Sequence, residues 1–425
     1  MSHTPPVRAA GPGQEPGPAA LLRAPATRPL PACWWYDPRT LVVADADAAV
    51  RALCADDDTG ARSEAFRRPP GWDGGRQTAL PGRTARLSWT QPAFTAAAVR
   101  AQAPALLSAA DACLDRTPPP ASDWDVLPTV LETTAHLAAV LCLGGDAALV
   151  HGLDAPLRAA TPAVVRGAGQ PCQDGAHDRF ERAAAAVDDR LRAALRRRRA
   201  AAPAAAGHDL LSVLLAEPAA DDEAVLTVLF SRLFSAQTAP GLLTAWLLHL
   251  LATHPAEQRR LRAEARRVLG PSGTPPAVDP AQLTATQHAL REALRLYPPS
   301  WLLGRTLRRP VRLADHDLAP GTEIRVATYL IHRDPAHHPR PDAFVPGRWA
   351  TPRPGLHRGA YLPFGIGDRY CRGASWVTAI AALTTAALLR RHHLRPTPGG
   401  RVTPHFSAHL EPAGLRLDPH PAPPG

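Results

Sequence analysis

Residues 364–373 read Phe-Gly-Ile-Gly-Asp-Arg-Tyr-Cys-Arg-Gly and lead into an apolar stretch, 373–389, that is predicted to be a helix. Gly365 and Gly367 allow the backbone to turn tightly and to approach a flat ligand closely, because glycine has no Cβ. Cys371 follows just before the predicted helix, where unpaired backbone N–H groups and the helix dipole favour a thiolate. The stretch therefore predicts a cysteine that acts as a ligand.

An anionic sulfur surrounded by backbone donors suits the axial position of a heme iron. Arg369, two residues earlier, provides a cation for a carboxylate of such a cofactor. The alternative is a glycine-rich loop that carries a buried cysteine by chance. The spacing of Phe364, Gly367, Arg369, Cys371 and Gly373 favours the iron ligand.

This segment resembles the heme-binding loop of the cytochrome P-450 family. The resemblance implies a mainly α protein with a small β portion, in the single-domain P-450 fold, with heme b as the cofactor. It implies that Cys371 is the proximal iron ligand, that Phe364 packs beside the sulfur and that Arg369 pairs with a heme propionate. The other expected contributors to the cofactor site are the glycines of the loop, Gly365, Gly367 and Gly373.

Two charged residues on the helix predicted over residues 280–296 extend the resemblance. Glu292 and Arg295 are three residues apart and share a helix face, although such pairs are common on protein surfaces. Arg348 follows within the segment 344–349, before the cysteine loop. The family has a Glu-x-x-Arg pair joined by a later arginine in this order, which implies a buried structural triad of Glu292, Arg295 and Arg348.

Further heme partners are expected among the arginines. Arg305 stands where the family often has a second propionate partner, and the alternative is a surface arginine at a strand edge. Arg83 and Arg86 are candidates for a third partner, a weaker match because Leu87 replaces a usual basic residue.

The long apolar stretch 224–251 is predicted to be one helix, and the resemblance places it on the oxygen-binding side of the heme. The family normally has an acid followed by threonine there, which relay protons. Counting back from His254-Pro255 puts Thr238 at the acid position and Ala239 at the alcohol position. A one-residue bulge would instead make Thr238 the alcohol, with Gln237 beside it. Neither register contains a carboxylate.

Pro240 lacks a backbone N–H and is expected to open or kink this helix. The spacing of Gln237 and Trp246 resembles the branch of the family that contains prostacyclin synthase and the sterol hydroxylases of bile-acid synthesis. Some members of that branch isomerise peroxides and others hydroxylate, so the missing pair leaves both kinds of reaction open.

Substrate contacts are expected, by family position, from Trp301, Leu302, Phe406 and the loop around Trp72. Each aromatic residue has core packing as its alternative. His405 is interpreted as a surface residue, with a polar contact to substrate as the alternative, and His332, His337 and His338 as structural or solvent-facing residues.

The 425-residue chain has 45% hydrophobic residues and a formal net charge of +10. The arginines are dispersed and no nucleic-acid motif is present, so we expect no nucleic-acid partner. The run 196–199 is interpreted as a solvated helix end, and a basic face could attract an acidic redox partner. The cysteines include no Cys-x-x-Cys pair, and Cys54 and Cys142 are read as small buried hydrophobic residues.

Residues 1–31 are rich in Pro, Gly and Ala and are predicted to form a flexible arm, followed by one catalytic domain over 32–425. Short strands are predicted at 311–313 and 322–331. The apolar segment 242–252 is too short to span a membrane, and no signal peptide is recognised. We therefore expect a cytoplasmic monomer with no membrane partner.

The leading functional hypothesis is a monooxygenase of secondary metabolism that hydroxylates or epoxidises a small hydrophobic terpenoid- or polyketide-like molecule. Electrons would come indirectly from NAD(P)H through ferredoxin reductase and ferredoxin, because the chain contains no flavin or nicotinamide domain. The alternative is a peroxide-using or rearrangement-type heme-thiolate enzyme, motivated by Ala239. A heme protein that binds a ligand without catalysis is a third hypothesis, which no residue specifically supports.

Overall fold

The computed structural model describes residues 31–54, 60–62, 88–116, 122–152, 176–201, 207–270 and 278–421. The predicted N-terminal arm lies outside the described residues except for Pro31. The part of the chain that is described contains helices and short strands in the proportion expected from the sequence: mainly α with a small β portion.

The α-helices carry most of the structure. In chain order they are α1 (Ala46–Cys54), α2 (Ala96–Arg116), α3 (Val126–Leu143), α4 (Ala176–Ala200), α5 (Leu210–Leu215), α6 (Asp222–Ala236), α7 (Thr238–Thr253), α8 (Pro255–Leu269), α9 (Thr284–Leu296), α10 (Thr328–Ile331) and α11 (Ala374–Arg391). Short 3₁₀ turns cover Gln91–Phe94, Gly144–Val150, Pro280–Gln282, Pro346–Trp349 and Gly367–Arg369.

The strands form small sheets. They are β1 (Cys33–Asp37), β2 (Thr40–Val43), β3 (Gly60–Arg62), β4 (Trp124–Asp125), β5 (Leu303–Leu307), β6 (Val311–Leu313), β7 (His316–Leu318), β8 (Glu323–Val326), β9 (His392–Pro396), β10 (Thr403–Phe406), β11 (Leu410–Ala413) and β12 (Arg416–Pro421). The largest sheet has the order β1-β2-β8-β5-β3, with β2 and β8 parallel and the other pairs antiparallel.

The core lies where α11 packs against α2, α7, α8 and α9, and where α3 packs against α2 and α7. Helix α11 is apolar on almost every side because it is surrounded, and its buried residues run from Trp376 to Arg390. Gly241 of α7 allows a close approach to α3, since a Cβ there would stand 2.7 Å from a methyl carbon of Leu131. The helix that follows the cysteine loop is thus held at the centre of the molecule.

Helix α1 begins at Ala46, where the side chain of Asp45 caps the helix by accepting a hydrogen bond from the backbone N–H of Ala48 at 2.8 Å. At the end of α1 the prediction for Cys54 is wrong. Its side chain is exposed, since the residue ends the helix beside the cysteine loop instead of pointing into the core. Cys142 is buried, as predicted.

Three predictions about local structure need correction. Residues 322–331 are not one strand: β8 covers Glu323–Val326, and Thr328–Ile331 forms the helical turn α10. The run 196–199 is not simply solvated, because Arg198 donates hydrogen bonds to Leu143 O at 2.8 Å and to the Asp209 carboxylate at 3.2 Å. The predicted helix 224–251 is divided into α6 and α7 at Gln237.

One helical segment of the described chain, Val126–Leu149, is long and apolar enough to cross a membrane. The sequence prediction considered 242–252 and did not include this segment. Of its most apolar window, 72% is buried inside the protein. This burial matches a core helix, whose apolar composition comes from packing on all sides.

Candidate functional site

The cysteine loop folds back on itself in the way the glycines predicted. Gly365 and Gly367 have φ angles of 72° and 73°, in the left-handed region that glycine adopts at little cost. The N–H of Cys371 donates to Phe364 O at 2.9 Å, and the N–H of Tyr370 donates to Gly367 O at 3.0 Å. These contacts fix Cys371 beside Phe364, immediately before α11.

Gly367 also permits a close contact between the loop and the end of α1. A Cβ at this position would stand 3.2 Å from Leu53 O and 3.2 Å from the Cα of Cys54. The same Leu53 carbonyl accepts a hydrogen bond from Arg305 at 3.5 Å. The loop, α1 and β5 therefore meet at one carbonyl group.

The Cys371 side chain is exposed, yet protein atoms surround its sulfur closely enough to desolvate it. The residue as a whole is therefore accessible to solvent, while its sulfur atom lies among protein atoms. Burial raises the pKa of the Cys371 thiol, against the opposing effects of a hydrogen bond from the Gly373 backbone and of the positive charge of Arg232 on α6.

The three charged residues expected to form a triad lie together in the core. Glu292 and Arg295 are both fully buried, and the Nη2 of Arg295 stands 2.9 Å from the Oε1 of Glu292. The Nε of Arg348 approaches the same Oε1 at 2.9 Å. Burial alone would raise the pKa of Glu292, but hydrogen bonds and charge from Arg295 and Arg348 outweigh it and keep the pKa below its usual range.

The surroundings of the triad are more extensive than the sequence suggested. The indole of Trp349 donates to Glu292 Oε2 at 2.8 Å, and the backbone N–H of Val345 donates to Oε1 at 3.1 Å. The remaining N–H groups of Arg295 donate hydrogen bonds to backbone carbonyls, among them those of His332 at 2.9 Å and Ala343 at 3.0 Å. In the sequence, only the segment 344–349, which contains Val345 and Trp349, indicated that the triad has further partners.

A buried histidine, His332, connects the triad to the segment just before the cysteine loop, and a second one, His338, contacts the same segment. The Nε2 of His332 accepts from the Leu362 N–H at 2.7 Å, and its Nδ1 lies 3.2 Å from Arg295 O. The Nε2 of His338 lies 2.9 Å from Ala360 O. Burial lowers the pKa of His332 to about 3 and that of His338 to about 4. Both histidines are therefore neutral structural residues.

The distal helix pair, which we define as α6 and α7, is interrupted where the proton-relay residues were expected. Gln237 retains helical backbone angles, but the hydrogen-bonded helix stops at Ala236 and restarts at Thr238. Pro240 has no N–H to give to Ala236 O, which accounts for the break. Ser235, Thr238 and Ala239 are exposed or half-buried on this otherwise buried segment, whereas Gln237 is only 4% exposed.

A sequence comparison decides the family. The family described as "Cytochrome P450" matches residues 170–421 of the chain. The chain belongs to the cytochrome P450 family. As a member it is an oxidoreductase whose family uses a heme iron.

Two bacterial relatives of this P450 come from Streptomyces melanosporofaciens. Cyclooctatin synthase is 34% identical over 320 residues, which cover 70% of this chain and 68% of that protein. Cyclooctat-9-en-7-ol 5-monooxygenase is 34% identical over 198 residues, which cover 45% of this chain and 43% of that protein. The solved structure titled "Retinoic acid bound cyanobacterial CYP120A1" has a TM-score of 0.78 at 19% identity and covers 92% of each chain, which establishes a common fold.

The residues around Cys371 fit a heme. Within the described ranges, no group of three or more His, Cys, Asp or Glu residues could hold a bare metal ion. Cys371 instead provides a single sulfur, the donor set that suits an iron already bound in a macrocycle. Gly373 lies against the sulfur, since a Cβ there would stand 3.8 Å from it, and this leaves the backbone N–H free of side-chain obstruction.

Of the arginines expected near the cofactor, the structure describes Arg305 and Arg369. Arg305 is only 8% exposed and lies in the inner strand β5, so the alternative of a surface arginine is excluded. Arg369 is half-buried on the cysteine loop. Arg83 and Arg86, and also Trp72, lie outside the described residues.

The residues expected to contact substrate form an aromatic corner. Trp301 and Leu302 are buried, and the ring of Phe406 packs against that of Trp301 at 5.1 Å. The Nε1 of Trp301 donates to Ser407 O at 2.9 Å, which ties the β10–β11 hairpin to this position. His405 is exposed, as predicted. A separate pocket of about 270 Å³ beside His405, Glu411 and Arg416 contains none of the predicted site residues.

Arg232 of α6 was not singled out by sequence reasoning, and the structure places its Cζ 5.8 Å from the ring centroid of Phe94. Arg232 lies three residues before Ser235, a spacing that places both on one face of α6. This spacing was the available signal, and it was obscured because the surrounding sequence was treated as an apolar helix.

Proposed function

We propose that this P450 is a monooxygenase that hydroxylates or epoxidises a small hydrophobic natural product of terpenoid or polyketide type. Cys371 is proposed as the proximal ligand of heme b, with Phe364 beside the sulfur and Arg369 and Arg305 as propionate partners. The observation that carries the proposal is the position of Cys371, on a loop turned by two glycines at positive φ and immediately before α11.

The heme, when bound, supplies the oxygen-activating chemistry. The chain's own residues would hold the heme and shield the sulfur from water. The N–H of Gly373 donates a hydrogen bond to the sulfur and moderates its electron density. Phe364, half-buried and linked through its carbonyl to the Cys371 N–H, limits access of water to the sulfur.

On the distal side, proton transfer is assigned to Thr238 and Gln237 together with water or a substrate hydroxyl, because Ala239 has no proton to give. The packed rings of Trp301 and Phe406 offer an apolar wall for the substrate. The name of the relative cyclooctat-9-en-7-ol 5-monooxygenase describes oxygenation of an unsaturated cyclic alcohol, and this supports a substrate of similar polarity.

Electrons are proposed to come from NAD(P)H through a ferredoxin reductase and a ferredoxin. The net charge of +10 supports an acidic partner of this kind. We further propose that the protein works as a cytoplasmic monomer.

The test is turnover of candidate substrates with ferredoxin, reductase and NAD(P)H, preceded by a titration of the iron spin state to select ligands. We expect product formation that requires the reductant and incorporates oxygen from O₂. Product formed without reductant would reject the monooxygenase.

The second candidate is a peroxide-using or rearrangement-type enzyme. It is favoured because Thr238 stands at the acid position and Ala239 at the alcohol position. The same assay with hydrogen peroxide or an organic peroxide in place of the electron-transfer proteins separates the two. Activity only with peroxide would support this candidate.

A further inference from the structure

The turn between β10 and β11 is tied to the interior of the protein at both ends. At its start, the Nε1 of Trp301 donates to Ser407 O at 2.9 Å. At its end, the backbone N–H of Leu410 donates to Pro299 O at 3.1 Å, and the indole of Trp246 donates to Leu410 O at 3.0 Å. The turn is therefore fixed between α7, which carries Trp246, and the residues that precede β5.

His409 is the last residue of this turn, and its backbone position is well defined. Its carbonyl accepts hydrogen bonds from the backbone N–H and from the hydroxyl of Ser407, both at 3.0 Å. The residues that flank the turn, Phe406 and Leu410, are paired across the hairpin and belong to the apolar cluster around Trp301. His409 thus stands beside the aromatic corner that is proposed to contact the substrate.

The imidazole of His409 is desolvated but has no partner in the protein. The residue as a whole is half-buried, while its ring lies among protein atoms, and this burial lowers its pKa to about 4. The ring makes no hydrogen bond, ion pair or ring contact with any residue that the structure describes. At neutral pH His409 therefore presents an uncharged ring whose two nitrogens are both available.

An unpaired imidazole in such a place is costly, because a polar group removed from water without a compensating hydrogen bond destabilises the folded protein. His332 and His338, the buried histidines of the proximal side, bond through their ring nitrogens to the protein itself. His409 differs from both. Its missing partner is therefore expected to be a molecule that binds beside the turn.

The uncharged ring selects the chemistry of that partner. A neutral imidazole has one N–H donor and one nitrogen acceptor, and an alcohol hydroxyl likewise donates once and accepts. A carboxylate would need a positive charge in the same place, since burying an unpaired anion costs far more than burying a hydroxyl. The rings of Trp301 and Phe406 nearby suit the apolar body of the same molecule.

We propose that the imidazole of His409 binds a hydroxyl group of the hydrophobic substrate and thereby fixes the orientation of that substrate against Trp301 and Phe406. This inference rests on the proposed function, because it assumes that the aromatic corner contacts the substrate. It names an alcohol as the substrate class, and it assigns to His409 the polar contact that sequence analysis considered for His405.

The experiment measures dissociation constants by equilibrium dialysis with the heme-loaded protein. The probes are alcohols paired with the hydrocarbons of the same skeleton: borneol with bornane, cedrol with cedrane, and androstanol with androstane. The wild type is compared with His409→Phe, which keeps a ring of similar shape and removes both nitrogens. The substitution should weaken binding of the alcohol that fits best about tenfold, the effect of one lost hydrogen bond with a hydroxyl left unpaired, and should change binding of its hydrocarbon little.

His405→Phe is the matched control, because His405 is an exposed histidine of the same hairpin, and it should leave both dissociation constants unchanged. Equal weakening of alcohol and hydrocarbon by His409→Phe would overturn the inference and assign the ring a packing role. A wild type that binds none of the alcohols would overturn it as well. His409→Gln, which keeps a donor and an acceptor, should bind the alcohol more tightly than His409→Phe, and equal affinities would count against the hydrogen bond.

A measurement without any ligand tests the same claim. Replacing an unpaired polar group by an apolar one of similar shape removes no interaction within the protein. The denaturant midpoint of His409→Phe without ligand should therefore equal or exceed that of the wild type. A lower midpoint would show that the imidazole is bonded within the protein and would overturn the inference. His409→Leu takes the place of the Phe variant in every arm if the latter does not fold.

Binding and turnover separate this inference from the proposed function. If alcohols bind with the expected dependence on His409 but no product forms with ferredoxin, reductase and NAD(P)H, the monooxygenase proposal fails and the role of His409 stands. If product forms and His409→Phe leaves alcohol binding unchanged, only the role of His409 fails.

Discussion

On the proximal side of the molecule the two carboxylate oxygens of Glu292 accept hydrogen bonds from Arg295, Arg348, Trp349 and the backbone of Val345. On the distal side, the helix pair α6 and α7 is interrupted at Gln237, and it leaves Ser235 exposed and Ala239 half-buried. Few residue types can replace those that contact Glu292, because the charge, the length of the side chain and the backbone angles are all constrained. On a face of α6 or α7, a residue can be replaced by another of similar size, so the chemistry of that face can change while the helix stays the same.

The largest effect on stability is expected on the proximal side, from Glu292→Gln. The substitution leaves Arg295 and Arg348 without their shared carboxylate in a site where Glu292 and Arg295 are fully buried. We expect a loss of about 3–5 kcal/mol in the free energy of unfolding, measured by denaturant titration. Asp317→Asn, which removes an exposed partner of Arg312, is the control and should change little. A loss equal to that of the control would contradict the account of the triad.

The buried His332 gives the proximal side a pH dependence. Its pKa in the folded protein is about 3, below the roughly 6.5 of an unfolded chain. The unfolded state therefore binds a proton that the folded state excludes, and stability falls as pH drops from about 6.5 toward 3 by up to about 1.4 kcal/mol per pH unit for this group. His332→Gln should make the fall of unfolding free energy between pH 6 and pH 4.5 less steep. An unchanged slope would mean that His332 does not titrate this way.

Gly367→Ala tests the contact between the cysteine loop and α1. The φ of 73° costs an alanine roughly 1–2 kcal/mol, and the new methyl group would press on Leu53 O at 3.2 Å. Gly321→Ala is the matched control, since its φ is 86° but open space surrounds it. We expect a lower melting temperature and lower heme content for Gly367→Ala than for Gly321→Ala. Equal values for the two variants would show that only the backbone angle matters at Gly367, and that the contact with Leu53 O does not.

The smallest effect is expected on the distal side. The double substitution Thr238→Asp, Ala239→Thr installs an acid and an alcohol in the gapless register. If proton supply limits turnover, the share of NAD(P)H electrons that end in product should rise on the order of a few-fold, with little change in stability. Thr253→Asp, at the exposed end of α7, controls for added charge. An unchanged share would indicate that protons reach the site by a route that bypasses residues 238 and 239.

The sequence was informative where geometry constrains residue type. The loop 364–373 and the order of Glu292, Arg295 and Arg348 could be read directly, because glycine at positive φ and paired buried charges have few substitutes. The break at Gln237 was only half predicted: Pro240 indicated a distortion, but one continuous helix was expected. The turn α10 was taken for a strand because its β-branched and aromatic residues, Thr328, Tyr329 and Ile331, are common in both. Arg198 was misjudged because its partners, Asp146 and Asp209, are distant in sequence.

The central claim is that the sulfur of Cys371 is bonded to a heme iron. The most direct measurement is the difference spectrum of the ferrous protein with and without carbon monoxide, recorded for the wild type and for Cys371→His. We predict the thiolate-type red shift of the main band in the wild type and its loss in the variant. A heme-containing wild-type protein without that shift, or a variant that keeps it, would contradict the claim.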